Sequence, residues 1–316
     1  MLRASTVILL LTLVHASTSC ISWDYTCRFL KILKENPQIS TIYVYNSSGG
    51  FSERNYGSDL NVDAPSGSIK LPTDAFNKLK SLSSLTLYRV RLENNTLDLT
   101  KHQKLENIQI SYSWLNDSTK ILYPETLRPM SLYLNANNFT TFSLCSLKNL
   151  TSLIHLDLSS NKIANFSGNF SRLKSLENIV LTGNNISKLS GSLLKSLQTV
   201  NLTMLSLQQN NIHCLSSINF DKISNYSNGF RVEINKEYPY YGDVSTLKER
   251  EFKCDCNSIF YNGTNYDMLE AVCTKPIDLY GLPIGLFIED CKDKNNSSNG
   301  MKLDGRNIKK IEINFS

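Results

Sequence analysis

The chain has 316 residues, of which 41% are hydrophobic and 19% are charged. This length fits one or two globular domains or one elongated repeat array. The formal net charge is +5, and Lys and Arg are scattered among acidic residues without forming the basic run that nucleic-acid-binding proteins carry. We therefore expect no nucleic-acid partner.

The N-terminal segment is typical of a secretory signal peptide. Arg3 precedes the apolar run at 7–14, and small residues follow at 16–19. This pattern predicts a signal peptide over 1–19 with cleavage before Cys20. The run is shorter than the roughly 18 apolar residues that a membrane helix needs, and no later segment reaches that length. We expect a secreted, extracellular protein with no membrane insertion; a truncated receptor ectodomain is the alternative.

Glycosylation sequons support export from the cell. Asn-x-Ser/Thr occurs fourteen times, and such sequons accept glycans on exported proteins. The candidate glycosylation sites are Asn46, Asn94, Asn116, Asn138, Asn149, Asn165, Asn169, Asn185, Asn201, Asn225, Asn262, Asn295, Asn296 and Asn314.

A repeat of about two dozen residues organises the middle of the chain. Apolar residues occupy positions 1, 4, 6 and 11 of each coil, and Asn occupies position 9. The pattern is clearest in coils that begin at Leu153, Leu176 and Leu202, and looser in those that begin at Leu82, Leu105 and Pro129. Apolar residues at positions 4 and 6 predict a short strand with one buried face. Weaker coils are placed at Ile39-Ile42-Val44, around Val62 to Ile69, and at Phe230–Ile234.

Two further features of the repeat carry expectations about packing. Apolar pairs such as Phe76/Leu79 and Phe170/Leu173 predict a buried returning half of each coil. At position 9, an amide can both donate to and accept from backbone groups left unpaired where the strand ends. We therefore expect a buried asparagine ladder made by Asn137, Asn161, Asn184 and Asn210.

These residues resemble the extracellular leucine-rich-repeat family, which includes Toll-like receptor ectodomains and Slit-like modules. The resemblance covers roughly 39–291 and is clearest over 82–212. It implies an α/β solenoid: a horseshoe with a concave parallel sheet, an irregular or short-helical convex side and disulfide-bonded terminal caps. The expected layout after the signal peptide is an N-terminal cap at 20–38, about seven to nine repeats at 39–250, a cysteine-rich C-terminal cap at 251–291 and a polar tail at 292–316.

Eight cysteines in an exported chain predict a disulfide framework. Cys20 and Cys27 are expected to close a small loop in the N-terminal cap. By the resemblance, the C-terminal cap pairs Cys254 with Cys273 and Cys256 with Cys291, although Arg250-Glu251 and the lack of a cap Trp depart from the family pattern. A zinc site is the disfavoured alternative for these four, so no metal is expected.

Two cysteines remain, and they lie three coils apart. Strands about 4.8 Å apart would separate Cys145 from Cys214 by roughly 14 Å, which is beyond disulfide reach. Two alternatives stay open: two free or partly buried thiols, or a disulfide-linked partner through Cys214.

The strand positions between the leucines would line the concave face and differ between the two halves of the array. Later coils place small and polar residues there, whereas early coils place Tyr, Trp and Arg, the types that dominate protein interfaces. We expect a protein or glycan ligand on the N-terminal half; the alternative is that these rings merely shelter each other in strands. The expected ligand-binding residues are Tyr43, Tyr45, Tyr88, Arg89, Arg91, Tyr112, Trp114 and Tyr133.

Nothing in the sequence favours catalysis. Hydrolase, metalloprotease and phosphate-loop motifs are absent, so we expect no enzyme activity, catalytic residue or cofactor. His155, Asp157 and Ser159 have the residue types of a triad, but alternate strand residues lie about 6.6 Å apart, too far for its hydrogen bonds. The expected function is ligand recognition, in innate immunity or cell-contact signalling. The alternative is a matrix protein that binds collagen or glycosaminoglycan. The basic tail residues Lys302, Arg306, Lys309 and Lys310 could contact an acidic glycan, but the neighbouring Asp304 and Glu312 favour a solvated tail.

Overall fold

The computed structural model describes residues 24–46, 51–124, 130–197, 199–213, 230–234 and 269–270. The expected signal peptide, the polar tail and nearly all of the C-terminal cap lie outside these ranges. So do six cysteines and five sequons: Cys20, Cys214, Cys254, Cys256, Cys273, Cys291, Asn225, Asn262, Asn295, Asn296 and Asn314. The chain divides into two compact units, Met1–Tyr133 and Leu134–Ser316.

The first unit begins with a helix and continues with short strands. Asp24 caps helix α1 by accepting a hydrogen bond from the backbone N–H of Cys27 at 2.8 Å. The buried side of the helix carries Phe29 and Leu33. The elements are α1 (Tyr25–Glu35), β1 (Thr41–Asn46), β2 (Ser52–Tyr56), β3 (Asp59–Ala64), β4 (Lys70–Leu71), β5 (Ser84–Tyr88), β6 (Arg91–Leu92), β7 (Thr96–Asp98), β8 (Asn107–Ser111), β9 (Lys120–Leu122) and β10 (Ser131–Tyr133).

The main sheet of the first unit stacks the coils in parallel register. Its strands lie in the order β10-β8-β5-β1-β3-β2. Position 4 of each coil pairs with position 4 of the next, as Ile42 does with Leu85 and Leu85 with Ile108. Inward and outward side chains alternate along β3 and β5 because successive strand residues face opposite sides. The sheet therefore has one core face and one solvent face, here called the strand face.

A hairpin extends this sheet beyond its first coil, and it corrects one expectation. The coil placed around Val62 to Ile69 is wrong, because β3 pairs with β1 on the side away from β5 and is antiparallel to β2. The alternation of Leu60 and Val62 mimics a coil strand. Gly57, at φ 68° in the turn, allows the reversal that the repeat pattern does not reveal.

The second unit repeats the parallel arrangement. Its elements are β11 (Thr141–Ser143), β12 (His155–Asp157), β13 (Asn165–Ser167), β14 (Asn178–Val180), α2 (Gly191–Leu197), β15 (Met204–Ser206), β16 (Arg231–Glu233) and β17 (Leu269–Glu270). Strands β12, β14, β15, β16 and β17 pair in that order, all parallel. The coil expected at Phe230–Ile234 is β16, with Val232 paired to Leu205.

The core of each unit consists of rows of apolar side chains that run from coil to coil. Leu156, Ile179 and Val232 form one such row in the second unit, and all are fully buried. The returning halves supply the opposite wall, where Phe76/Leu79 and Phe170/Leu173 are buried as expected. Each buried side chain of this size stabilises the fold by roughly 1.5–3 kcal/mol, and the burial requires a neighbouring coil.

The side opposite the main sheet is largely irregular. It carries short parallel ladders, β4 with β6 and β7 with β9 in the first unit and β11 with β13 in the second. The only α-helix described there in the second unit is α2, and 3-10 turns span Glu93–Asn95 and Leu144–Leu147. The expected solenoid, with a parallel sheet and an irregular or short-helical opposite side, is confirmed. No helix in the described part of the chain is long and apolar enough to span a membrane.

Candidate binding surface

The end of each coil strand has a characteristic backbone conformation. Position 8, which lies one to three residues after the end of the strand, is left-handed in six coils, with φ between 53° and 69°. Only Gly183 adopts this conformation without cost, because any other side chain crowds the backbone there. The other five positions are Arg89, Tyr112, Ala136, Ser160 and Gln209. Two large side chains, Arg89 and Tyr112, are therefore held at strained positions beside the strand face.

Four tyrosines of the first unit stack into a continuous row, here called the tyrosine ladder: Tyr43, Tyr45, Tyr88 and Tyr112. The successive ring centroids lie 6.0, 6.3 and 5.9 Å apart, with interplanar angles of 4°, 26° and 23°. The ladder starts on β1, crosses β5 and ends just after β8. The rings partly cover each other's faces, while Tyr45 and Tyr112 remain exposed to solvent.

Hydrogen bonds and burial hold the ladder in place. The Gln109 side-chain amide donates to the Tyr88 hydroxyl at 2.9 Å and to the Ser111 hydroxyl at 3.2 Å. Burial raises the pKa of Tyr45, and the neighbouring Tyr43, Tyr88 and Asp63 raise it further. The Tyr45 hydroxyl therefore stays protonated and available as a hydrogen-bond donor.

Two arginines lie on aromatic rings at the β8 end of the ladder. The Arg89 guanidinium carbon is 5.6 Å from the centre of the Tyr112 ring, and that of Arg91 is 5.0 Å from the Trp114 ring. Both distances fall within the range of cation–π attraction. In the described part of the chain, neither arginine has a carboxylate partner.

Gly67 supports the second of these pairs. A Cβ at this residue would lie 3.1 Å from Nε of Arg91 and 3.2 Å from Cη2 of Trp114, so both side chains pack directly on the glycine backbone. The Gly67 N–H also donates to the Arg89 carbonyl at 2.7 Å. The loop around Gly67 therefore holds both Arg89 and Arg91 in position.

The structure separates the eight sequence-predicted ligand-binding residues into three groups. Tyr43, Tyr45, Tyr88 and Tyr112 form the ladder, with Arg89 against its last ring. Tyr133 ends β10 and is half-buried, in register with Gln109. The expected strand placement needs correction for Arg89 and Tyr112, which directly follow β5 and β8 and are not within them. It is also wrong for Arg91, which lies in β6 outside the main sheet, and for Trp114, which lies in the turn after β8. Positions past the Asn position leave the sheet, which is why these two do not lie on its strands.

The strand face of the second unit carries mainly polar side chains that form hydrogen bonds with one another. Thr182 and Ser206 share a hydrogen bond at 2.8 Å, and the Gln208 side-chain amide donates to Glu233 at 3.2 Å. The Asp157 carboxylate accepts from the backbone N–H of Ser159 at 2.8 Å. Burial lowers the pKa of His155, although Asp157 opposes the shift. These side chains satisfy each other and present no aromatic row.

The position-9 asparagines of the second unit connect consecutive coils. Asn184 donates to the carbonyls of Leu158 and Leu181 at 3.0 and 2.9 Å, and its side-chain oxygen accepts from the Ile163 N–H at 2.9 Å. Asn161 and Asn210 make the equivalent contacts one coil away on either side. Asn137 donates to the Leu134 carbonyl, and all four are buried.

Sequence reasoning missed three contributors to the first unit. Ser113 stands at position 9, where its hydroxyl accepts from the Val90 N–H and donates to the Ser111 carbonyl. Asp63 flanks Tyr45 across the β1–β3 pair. His102 replaces an apolar residue of the returning half; its Nδ1 lies 3.1 Å from the Leu79 carbonyl oxygen, and its Nε2 is buried without a hydrogen-bond partner. Alignment of the coils could have revealed Ser113 and His102, whereas Asp63 depends on the hairpin.

The sequons described by the structure avoid the main-sheet strands with one exception. Asn46 ends β1, whereas Asn94, Asn116, Asn138, Asn149, Asn165, Asn169, Asn185 and Asn201 lie in turns, in the returning halves or in the short β13. Cys145 is exposed and carries a free thiol. Among the described residues, no group of three or more His, Cys, Asp or Glu side chains is placed to hold a metal ion.

Comparison with known proteins supports the fold. Residues 130–186 match the leucine rich repeat family. No curated protein shows significant sequence similarity to the chain. The similar solved structures include an internalin, InlF, from Listeria monocytogenes, which is 15% identical over 68% of this chain and 85% of that chain with a TM-score of 0.28. They also include the functional domain of InlJ from Listeria monocytogenes, 15% identical over 58% of this chain and 48% of that chain with a TM-score of 0.28.

The family match over 130–186 agrees with the register of the coils. In the coils that begin at Leu153, Leu176 and Leu202, leucine or isoleucine at positions 1, 4 and 6, a buried asparagine at position 9 and parallel strand pairing recur. The fold is a leucine-rich-repeat solenoid.

Proposed function

We propose that this protein is a secreted, glycosylated binding module that recognises a protein ligand on the strand face of its first unit. The observation that carries the proposal is the tyrosine ladder. Leucine-rich-repeat folds serve as protein-binding modules, but the ligand is set by the surface and not by the fold. The ladder is the largest aromatic feature on the described strand faces.

The ladder has the properties of an interface anchor. Tyr45 and Tyr112 are 41% and 48% exposed, and Trp114 beside them is 42% exposed. Tyrosine, tryptophan and arginine contribute most of the binding free energy in measured interfaces. Since stacking already restricts the rings, binding costs little additional side-chain entropy. A partner can thus gain aromatic contact area and hydrogen bonds to the phenol hydroxyls together.

Secretion and glycosylation are supported by the sequence. The apolar run at 7–14 and the fourteen sequons both favour export. Asn46 and Asn138 are the two sites at which a glycan would narrow the surface available to a partner. We place the protein in innate immune recognition or cell-contact signalling, which the resemblance to Toll-like and Slit-like proteins supports.

The test is capture of the ligand by variant proteins. Full-length protein with Tyr88→Ala and Tyr112→Ala, immobilised and exposed to native fluid, is expected to lose the partner that the wild type retains, since truncating two anchors costs about 2–4 kcal/mol of binding. The matched control is Thr182→Ala with Gln209→Ala, on the strand face of the second unit. Unchanged capture by the tyrosine variant, measured by quantitative mass spectrometry at equal thermal midpoints, would contradict the proposal.

A further inference from the structure

The two ends of the tyrosine ladder carry charges of opposite sign. Asp63 lies beside Tyr45 at one end, because β3 pairs with β1 and places the two residues directly opposite each other. Arg89 lies on the Tyr112 ring at the other end. The ladder is therefore an aromatic row between a carboxylate and a guanidinium.

Neither charge is neutralised within the described part of the chain. Asp63 accepts a hydrogen bond from the Ser52 hydroxyl at 3.4 Å and has no cationic partner there. Its charge reaches the ladder, since it contributes to the raised pKa of Tyr45. Arg89 contacts an aromatic face, which leaves the guanidinium N–H groups able to bind a carboxylate.

The separation of the two charges matches a short extended peptide. Asp63 lies on β3 and the Arg89–Tyr112 pair lies between β5 and β8, in the strand order β3-β1-β5-β8. Two to three inter-strand steps of about 4.8 Å give roughly 10–14 Å. An extended chain rises about 3.3 Å per residue, so three to four residues cover this distance.

We propose that the ladder binds an extended peptide segment of its protein partner in one orientation, with a basic side chain at Asp63 and an acidic side chain three to four residues away at Arg89. This proposal rests on the proposed function and specifies the partner's chemistry. The phenol hydroxyls donate to the backbone carbonyls of the segment, while the two terminal charges determine its direction.

The same charges disfavour a uniformly acidic ligand. A sulfated polysaccharide would be attracted by Arg89 and Arg91 but repelled by Asp63. Polyanion binding depends on several cations acting together, and the ladder offers them at one end only. A polypeptide that carries both signs fits the surface better.

The experiment uses a yeast-displayed library of random twelve-residue peptides, selected on the full-length secreted protein and counter-selected on the Tyr88→Ala/Tyr112→Ala variant. The enriched peptides are expected to carry a basic and an acidic residue three to four positions apart in a constant order. The double charge reversal Asp63→Lys with Arg89→Glu is expected to enrich peptides with the reversed order.

Dissociation constants make the test quantitative. Each single reversal is expected to weaken binding of a selected peptide about fivefold, and the double reversal to prefer the charge-swapped peptide. Arg172→Glu, an exposed arginine of the second unit, is the control and should change nothing. Enrichment of uniformly acidic peptides, or heparin retention that Arg89→Glu removes, would overturn the inference.

The two proposals fail in different ways. Peptides that require Tyr88 and Tyr112 but ignore both charge reversals would contradict the charge assignment and leave the proposed function standing. A second selection omits the counter-selection step. If its peptides bind the tyrosine variant as tightly as the wild type, the proposed function itself is contradicted.

Discussion

Asn184 illustrates how one side chain joins two consecutive coils of the second unit. Its amide group bonds to two carbonyls, and its oxygen accepts one N–H, all of them backbone groups that the strand ends leave without regular partners. In the first unit, Ser113 and Val90 stand at the same position. The Ser113 side chain is shorter than that of Asn, and its hydroxyl bonds to two backbone groups. The Val90 side chain has no polar group, so this residue contributes its backbone N–H alone.

Asn184→Ala is expected to lower the free energy of unfolding by about 1–3 kcal/mol, because it leaves the Ile163 N–H buried and unpaired and removes one of the two amide donors of each carbonyl, Leu158 and Leu181. Thermal or urea unfolding measures the change. The matched control is Asn211→Ala, since Asn211 is exposed and its side chain donates to the exposed Asn185 side chain and to no backbone group in the described part of the chain. Equal thermal midpoints for Asn184→Ala and wild type would show that the position-9 amide is not needed.

His102 makes the stability of the first unit depend on pH. Burial lowers the pKa of its imidazole, although its contact with the Leu79 carbonyl and the charge of Asp98 oppose the shift. Because the unfolded chain then binds the proton more readily, the free energy of unfolding is expected to fall as pH decreases below about 6.5.

Urea unfolding between pH 7 and pH 5 measures how the free energy of unfolding changes with pH. His102→Leu, which restores the apolar residue found at Leu79 one coil earlier, should reduce the pH dependence and leave the share that the buried His155 contributes. A His102→Leu variant with the wild-type slope would exclude His102 as the group responsible.

At the scale of elements, the period-2 positions of each coil were sufficient to predict the main strands and their buried faces. Leu156 and Leu158, for example, are both fully buried as their spacing indicates. The β2–β3 hairpin was not predictable, because Leu60 and Val62 have the same spacing as a coil strand. Which side of β1 the hairpin joins is decided by long-range pairing, and no local pattern records it.

The tyrosine ladder was only partly predictable for a related reason. The sequence places Tyr43, Tyr45 and Tyr88 on the strand face by their alternation with leucines. It does not reveal that position 8 is left-handed, which brings Tyr112 and Arg89 against the ladder. The same limit explains why Arg91 and Trp114 were expected on strands and instead pack over Gly67.

Gly67→Ala is expected to displace Trp114 and to lower stability by about 1 kcal/mol. The new Cβ would crowd Arg91 and Trp114, and the residue has φ 67°, which disfavours any side chain. Tryptophan fluorescence measures the displacement as a red shift, in a Trp23→Phe background that leaves Trp114 as the single tryptophan.

Gly57→Ala is the matched control for Gly67→Ala. Gly57 has nearly the same φ, 68°, but its Cβ would have no atom within 4 Å. It should lower stability similarly and leave the Trp114 spectrum unchanged. Equal spectral shifts in both variants would show that backbone strain, and not the contact with Gly67, positions the tryptophan.

Across the whole molecule, the coils provide a common backbone scaffold. Equivalent positions of the coils carry different side chains in the two units and therefore form different surfaces. The first unit uses positions 5, 7 and 8 for tyrosines and Arg89, whereas the second uses them for small polar side chains that bond to each other. The two strand faces share a backbone and differ in side-chain chemistry. Recognition is therefore expected at the first unit, and the second is expected to contribute mainly stability.

Hydroxyl-radical footprinting of the protein with and without its captured partner tests this account most directly, because exposed aromatic rings are oxidised in proportion to their accessibility. We predict protection of Tyr45, Tyr112 and Trp114 in the complex and unchanged oxidation of His155 and Met204 on the second strand face. Protection confined to the second unit, with the tyrosine ladder oxidised as in the free protein, would contradict the assignment of the binding surface.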